Sequence, residues 1–166
     1  KVYLYDNNLL LAIKTYNELE KKKGLNHYTS TQKYKIYLEL KDYNNAAKEL
    51  ESLLEETPDD LEIYEMLSDC YILDGDYDKS FKVLKRISEL NPNSISVHLS
   101  LADYYLKKGD LEKYKEELLF SFKSEKLDPE SKIRKIIPLL TPIYENDLSN
   151  IDLLYELSSE LVKVHS

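Results

Sequence analysis

The chain has 166 residues, 42% of them hydrophobic and 33% charged, and a formal net charge of -8; that is enough apolar material for one folded domain or one short repeat array, and too much for a disordered segment. The negative balance argues against a phosphate backbone or an anionic membrane surface as partner, because both call for a basic patch. The longest apolar run, Leu9 to Ile13, falls far short of the roughly 20 residues that span a bilayer, and the single cysteine, Cys70, excludes an internal disulfide framework.

Three glycines and five prolines are too few to punctuate a sheet of many short strands, so the class expected is all-α. The dominant signal is a period of 34 residues. Tyr3, Tyr37, Tyr71 and Tyr105 are spaced by it, as are Ala12, Ala46, Ser80 and Tyr114, then Leu19, Leu53 and Ile87, and Leu50, Leu84 and Leu118. Asp42, Asp76 and Asp110, the pair Gly75 and Gly109, and Pro58 with Pro92 keep the same spacing at the turns. In chain order the period divides the sequence into a partial unit over 1–26, three units over 27–60, 61–94 and 95–130, and a divergent helical hairpin over 131–166. The first segment matches only the later part of a unit, beginning inside its first helix, and Lys21 to Lys23 close a helix ahead of Gly24, where positive charge offsets the helix dipole. Each complete unit reads as two helices, with apolar stripes such as Leu67 and Tyr71, then Leu84 and Ile87, which only neighbouring units can bury. Glycine and aspartate mark the turn between them; Lys41-Asp42 lacks the glycine, which predicts strain there. Tyr114 faces Ala102 where Tyr34 faces Ala46, a large-for-small exchange that keeps volume. After Leu119 the register slips: Pro129 falls three residues late, which predicts a longer second helix or an insertion. The last hairpin carries Ile133, Ile136, Ile137, Leu140 and Tyr144 on a first helix that Pro138 and Pro142 should bend or split, and Leu153, Leu154, Leu157, Leu161 and Val164 on a second, with Ser149 and Asp152 as a capping box. Eight helices are expected in all.

The period and the residues at it resemble the tetratricopeptide repeat, most closely over Leu61 to Ser94, where Tyr64, Leu67, Ser68, Tyr71, Gly75, Asp76, Tyr77, Ser80, Leu84, Ile87 and Pro92 stand in the family's aromatic, aliphatic, small, turn and terminating slots. The resemblance implies an α-solenoid of antiparallel helix pairs with a right-handed superhelix, and a segment of a longer repeat protein. It also implies that the first helices of successive repeats line an inner groove. Tyr28, Glu62 and Ser96 then share one slot of that groove; Thr31, Glu65 and Leu99 a second; Lys35, Asp69 and Asp103 a third, with Met66 between them and Leu38, Ile72 and Leu106 one turn further. Glu62, Glu65 and Asp69 project from one helix face, so the central groove is expected to be acidic. Some family members grip the C-terminal carboxylates of heat-shock chaperones with lysine, arginine and asparagine on this face. The corresponding positions are Thr31, Lys35, Met66, Ser96 and Ser100, of which only Lys35 fits, so no such clamp is expected.

Nothing in the sequence calls for catalysis, a metal or a cofactor. His27, His98 and His165 lie about 70 residues apart without Cys or Asp at ligand spacing and read as helix-surface or turn histidines. Cys70 reads as a packing residue, and no phosphate loop or nucleophile turn is present. The expected function is a protein-interaction scaffold or adaptor whose groove takes a basic, or mixed basic and apolar, protein or peptide. The alternative is a structural spacer in a larger bacterial envelope or secretion assembly that holds no separate peptide. An apolar face left at either end predicts end-to-end self-association. The compartment is open between cytoplasm and envelope.

Overall fold

A computed structural model describes residues 2–144, 148 and 150–165 of the chain, with side chains over 8–140, 148 and 150–165. Its helices are α1 (Val2–Lys23), α2 (His27–Glu39), α3 (Tyr43–Glu56), α4 (Leu61–Asp74), α5 (Tyr77–Leu90), α6 (Ile95–Lys108), α7 (Leu111–Phe122), α8 (Pro129–Tyr144) and α9 (Ile151–His165), and there is no strand among the described residues. The count among the described residues is nine rather than eight, because a whole helix precedes four complete pairs. The chain forms two compact units, Lys1–Pro92 and Asn93–Ser166.

In the first unit each helix packs on the next, from α1 through α5. The turn between α4 and α5 shows why the glycine-aspartate pair recurs. Gly75 takes φ 81°, which lets the amides of Gly75 and Asp76 turn back to the carbonyls of Ile72 and Tyr71, and the Asp76 carboxylate then accepts from the Lys79 amide to start α5. Lys41 adopts the same left-handed conformation, φ 57°, with the same pair of backbone bonds from Lys41 and Asp42 to Leu38 and Tyr37. The turn expected to be strained therefore is, since a Cβ is disfavoured there. Leu50, Ile63 and Ile87 are at most 1% exposed, each contributing about 1.5–3 kcal/mol of burial. Ser68 and Ser80, buried, share a hydrogen bond of 3.0 Å where α4 meets α5. Tyr34 and Ala46, and Ala102 and Tyr114, stand at the same positions of their own helix pairs and are likewise buried, so one slot holds small-small, large-small and small-large pairs.

One expectation about the first unit changes. Helix α1 runs unbroken from Val2 to Lys23, so the partial unit holds no turn between two helices. At the period, Asn7 and Asn8 stand where the true turns have Gly75-Asp76 and Gly109-Asp110, and neither the left-handed glycine nor the capping aspartate is there to stop the helix. The interior between α1 and α2 is also polar. Lys33, 3% exposed, lies between Glu20 at 2.6 Å and Glu49 at 2.7 Å and donates to Asn17 at 3.1 Å; Glu20 accepts in turn from Thr29 at 2.6 Å and Ser30 at 3.3 Å. Burial works against the charge on all three. Hydrogen bonds from Lys33, Thr29 and Ser30 outweigh it at Glu20 and hold that carboxyl below its ordinary value, whereas Glu49 ends above its own, with Lys33 offsetting only part of the burial.

In the second unit α6 packs on α7, α7 on α9 and α8 on α9. The expected slip after Leu119 takes another form. Helix α7 has 12 residues, shorter than the 14 of α3 and α5, and α8 begins on the period at Pro129. Pro129 opens a helix instead of closing one: it takes the first helical position, where no amide is needed, and the Asp128 carboxylate accepts from the Ser131 amide at 2.8 Å. Helix α8 continues through Pro138 and Pro142 and is not split. Ser149, half of the expected capping box, lies outside the described residues.

Candidate functional site

Two helix faces carry the expected groove residues of the first unit. On α2, started by Asn26, which accepts from the Thr29 amide at 3.0 Å, the buried side is Thr29, Ser30, Lys33 and Tyr34. The other side presents Tyr28, 65% exposed, Lys35, exposed, and Thr31, half-buried and hydrogen-bonded at 3.4 Å to His27. On α4, started by Asp60, which accepts from the amides of Glu62 and Ile63, the buried side is Ile63, Leu67, Ser68, Cys70 and Tyr71. Glu62, Glu65 and Asp69 are exposed on the remaining surface with Met66 half-buried beside them, and Ile72 and Leu73 are exposed further along. No ion pair reaches Glu62, Glu65 or Asp69 among the described residues. Partial loss of hydration raises the Asp69 carboxyl. Tyr34 of α2 is raised as well, chiefly by burial and further by Cys70 and the Asp69 carboxylate.

The second unit places Leu99, half-buried, and Asp103, exposed, on α6. Both line a groove of about 720 Å³ floored by Leu106, Tyr114, Leu127 and Leu139. The Asp103 carboxylate does not stand alone: Lys135 of α8 donates to both its oxygens, at 2.7 and 2.8 Å. Its charge is thereby largely neutralised, whereas the other expected groove acids, Glu62, Glu65 and Asp69, have no ion pair among the described residues. Lys135 is a site residue that the sequence reading missed, since the period says nothing about a partner 32 residues away on another repeat.

The remaining polar side chains serve packing. His98 is a half-buried contact residue, not a surface one: its Nδ1 bonds Glu117 and its ring lies 3.8 Å from that of Phe120. Lys132, fully buried, bonds His165 at 2.8 Å. Cys70 is buried, donates to the Tyr43 carbonyl at 3.2 Å, and has its thiol pushed up to about 11 by burial and then by neighbouring carboxylates such as Asp74. No group of three or more His, Cys, Asp or Glu that could hold a metal occurs among the described residues, and no helix among them is long and apolar enough to cross a membrane.

The family model described as tetratricopeptide repeat matches residues 37–102. Among solved structures, the chain is similar to TTC0263, a thermophilic tetratricopeptide-repeat protein of Thermus thermophilus, at 21% identity and TM-score 0.55 over 97% of this chain and 95% of that one. It is also similar to a MamA RS-1 ArsTM double mutant, at 22% identity and TM-score 0.58 over 69% of this chain and 65% of that one. No curated protein matches the sequence. Repeats of this kind generally mediate protein–protein interaction and are typically non-enzymatic scaffolds. The match over residues 37–102 and the paired helices, with no strand among the described residues, make the chain an all-α helical-repeat protein.

Proposed function

We propose that the chain is a protein-interaction scaffold and that the outward face of α2 and α4 binds a basic, or mixed basic and apolar, peptide. The observation that carries this reading is the row Glu62, Glu65 and Asp69 on α4, exposed and without an ion pair among the described residues, with Met66 and Ile72 on the same helix and Tyr28 exposed on α2. Carboxylates so placed attract cationic side chains and repel acidic ones, while the apolar neighbours supply the desolvated contact that gives residence time. Lys35, exposed on α2, limits the acidic face on that side.

The test is a titration of wild type and of the double variant Glu65→Lys/Asp69→Lys against one Lys/Leu-rich and one Glu/Leu-rich peptide. Wild type should prefer the basic peptide and the variant the acidic one. Both preferences should shrink as salt shortens the screening length from about 10 Å at 0.1 M toward about 3 Å at 1 M. Equal binding of both peptides by both proteins would refute the assignment of this face.

A further inference from the structure

Helix α9 has two apolar faces. One is spent inside the second unit, through Leu154 and Leu157 at 7% and 0% exposure. The other is open: Ile151 is 48%, Tyr155 76% and Val162 66% exposed, and Ser158, also exposed, completes the row. Spacings of four, three and four residues put these four side chains on one line along the helix.

We propose that this line is a self-complementary seam on which a second copy of the chain docks, α9 against α9 in antiparallel orientation. An isologous pair turns about a point midway between residues 156 and 157, and the sequence is symmetric about that point in size. Ile151 then meets Val162 of the second copy, and Tyr155 meets Ser158, so each bulky ring falls over a small residue. Asp152 and Lys163, both exposed and on the same flank of the seam, come beside each other across the pair, where the acid at the start of one helix lies near the base at the end of the other. The parallel arrangement has none of this. It stacks Tyr155 on Tyr155, leaves a gap at Ser158, and puts the Asp152 and Lys163 flanks of the two copies on opposite sides of the pair, where acid and base do not meet. Antiparallel helices also oppose their dipoles favourably. The occupant is therefore the chain itself rather than an unrelated helix. The seam is narrower than the roughly 800 Å² per partner of a standard interface, so the dimer is weak, with a Kd on the order of 10–500 µM. The inference is independent of the α2/α4 face.

Sedimentation equilibrium of the 166-residue chain tests it, over concentrations from about 5 µM to about 1 mM. A reversible monomer–dimer equilibrium is expected. Tyr155→Glu should weaken it at least tenfold without altering the far-ultraviolet circular dichroism, as befits a side chain that is mostly in solvent. Tyr155→Ser and Ser158→Tyr should each weaken dimerisation, one by removing the ring and the other by setting ring on ring, while the double variant Tyr155→Ser/Ser158→Tyr restores the large-on-small match and recovers the wild-type constant within threefold. A strict monomer throughout the range would overturn the proposal. So would association that continues past the dimer, association indifferent to Tyr155→Glu, or a double variant no better than its two parents.

Discussion

Replacing Lys33 by leucine should destabilise the protein, although leucine is what the same position holds one and two periods later, at Leu67 and Leu101. At Leu67 the counterparts of Glu20 and Glu49 are Leu54 and Val83. Around Lys33, Glu20 and Glu49 stand at 2.6 and 2.7 Å, with side-chain exposures of 12% and 14% against 4% for the lysine. Leucine would leave two nearly buried carboxylates facing each other, Glu20 retaining only Thr29 and Ser30 as donors. Breaking a buried pair by removing one partner costs about 3–5 kcal/mol, and for a chain of this length each kcal/mol moves Tm by about 2–4 °C. Lys33→Leu should therefore melt about 6–20 °C below wild type. The triple variant Glu20→Leu/Lys33→Leu/Glu49→Val installs the residues found 34 positions on, Leu54, Leu67 and Val83, and removes all three charges of the cluster at once. It should melt at or above wild type, since apolar replacement of a whole buried ionic cluster is neutral or stabilising by about 1–4 kcal/mol. Thermal melts followed by circular dichroism decide the matter. A single variant as stable as wild type would show that the cluster has no grip on the fold, and a triple variant less stable than the single would show that these slots cannot hold apolar side chains.

At the first interhelix turn, Lys41→Gly should raise Tm by about 1–4 °C, as relief of the left-handed cost outweighs glycine's extra chain entropy, while Gly75→Ala should lower it through the backbone alone, because a Cβ there meets nothing within 4 Å. A lowered Tm for Lys41→Gly would contradict the strain assigned to φ 57°. On the alkaline side, burial raises Tyr34, Tyr71, Tyr105 and Tyr114, and at Lys33 the hydrogen bonds to Glu20 and Glu49 outweigh burial and raise it as well. The folded state therefore holds these protons longer than the unfolded chain. Stability from these groups is full below their unfolded values, near pH 10, and falls as pH climbs through the folded ones. Tm measured against pH should stay level up to about pH 9 and then decline, with tyrosinate absorbance rising at higher pH in the native protein than in denaturant; a Tm that increases above pH 10 would reverse the sign of the argument.

Much of the fold is written in residues whose role is local. Gly75, Gly109 and the aspartates after them act within one turn, and the tyrosine and leucine series act on the nearest helix, so a 34-residue repeat in the sequence maps directly onto helix pairs. What escaped the reading depends on partners that the period does not identify. Asp103 looked like an open acid until Lys135 of α8 was seen to hold it, and Pro129 looked like a late terminator because proline is found at helix starts as well as after their ends. Lys33 was legible after all: a lysine in a leucine column, with Thr29 where Ile63 and Val97 stand, signals a polar interior between α1 and α2. The missing turn at Asn7-Asn8 carries the same lesson, since two asparagines match the spacing of the turn but not its chemistry.

The spacing of the helix starts has a practical consequence for recombination. Helices α2, α4, α6 and α8 begin at residues 27, 61, 95 and 129, although the connection before α8 spans 123–128 where its counterpart before α4 spans only 57–60. The two residues missing from α7 reappear in the connection, so the path from joint to joint is held constant while its division between helix and loop is not. One residue ahead of each joint stands Asn26, Asp60, Ser94 or Asp128, a residue type suited to starting a helix. A cassette exchanged between positions in the array should therefore be cut before that residue, so that the starter travels with its own helix. A lone inserted residue absorbed by a helix would rotate everything beyond it by about 100° and turn the buried stripe toward water.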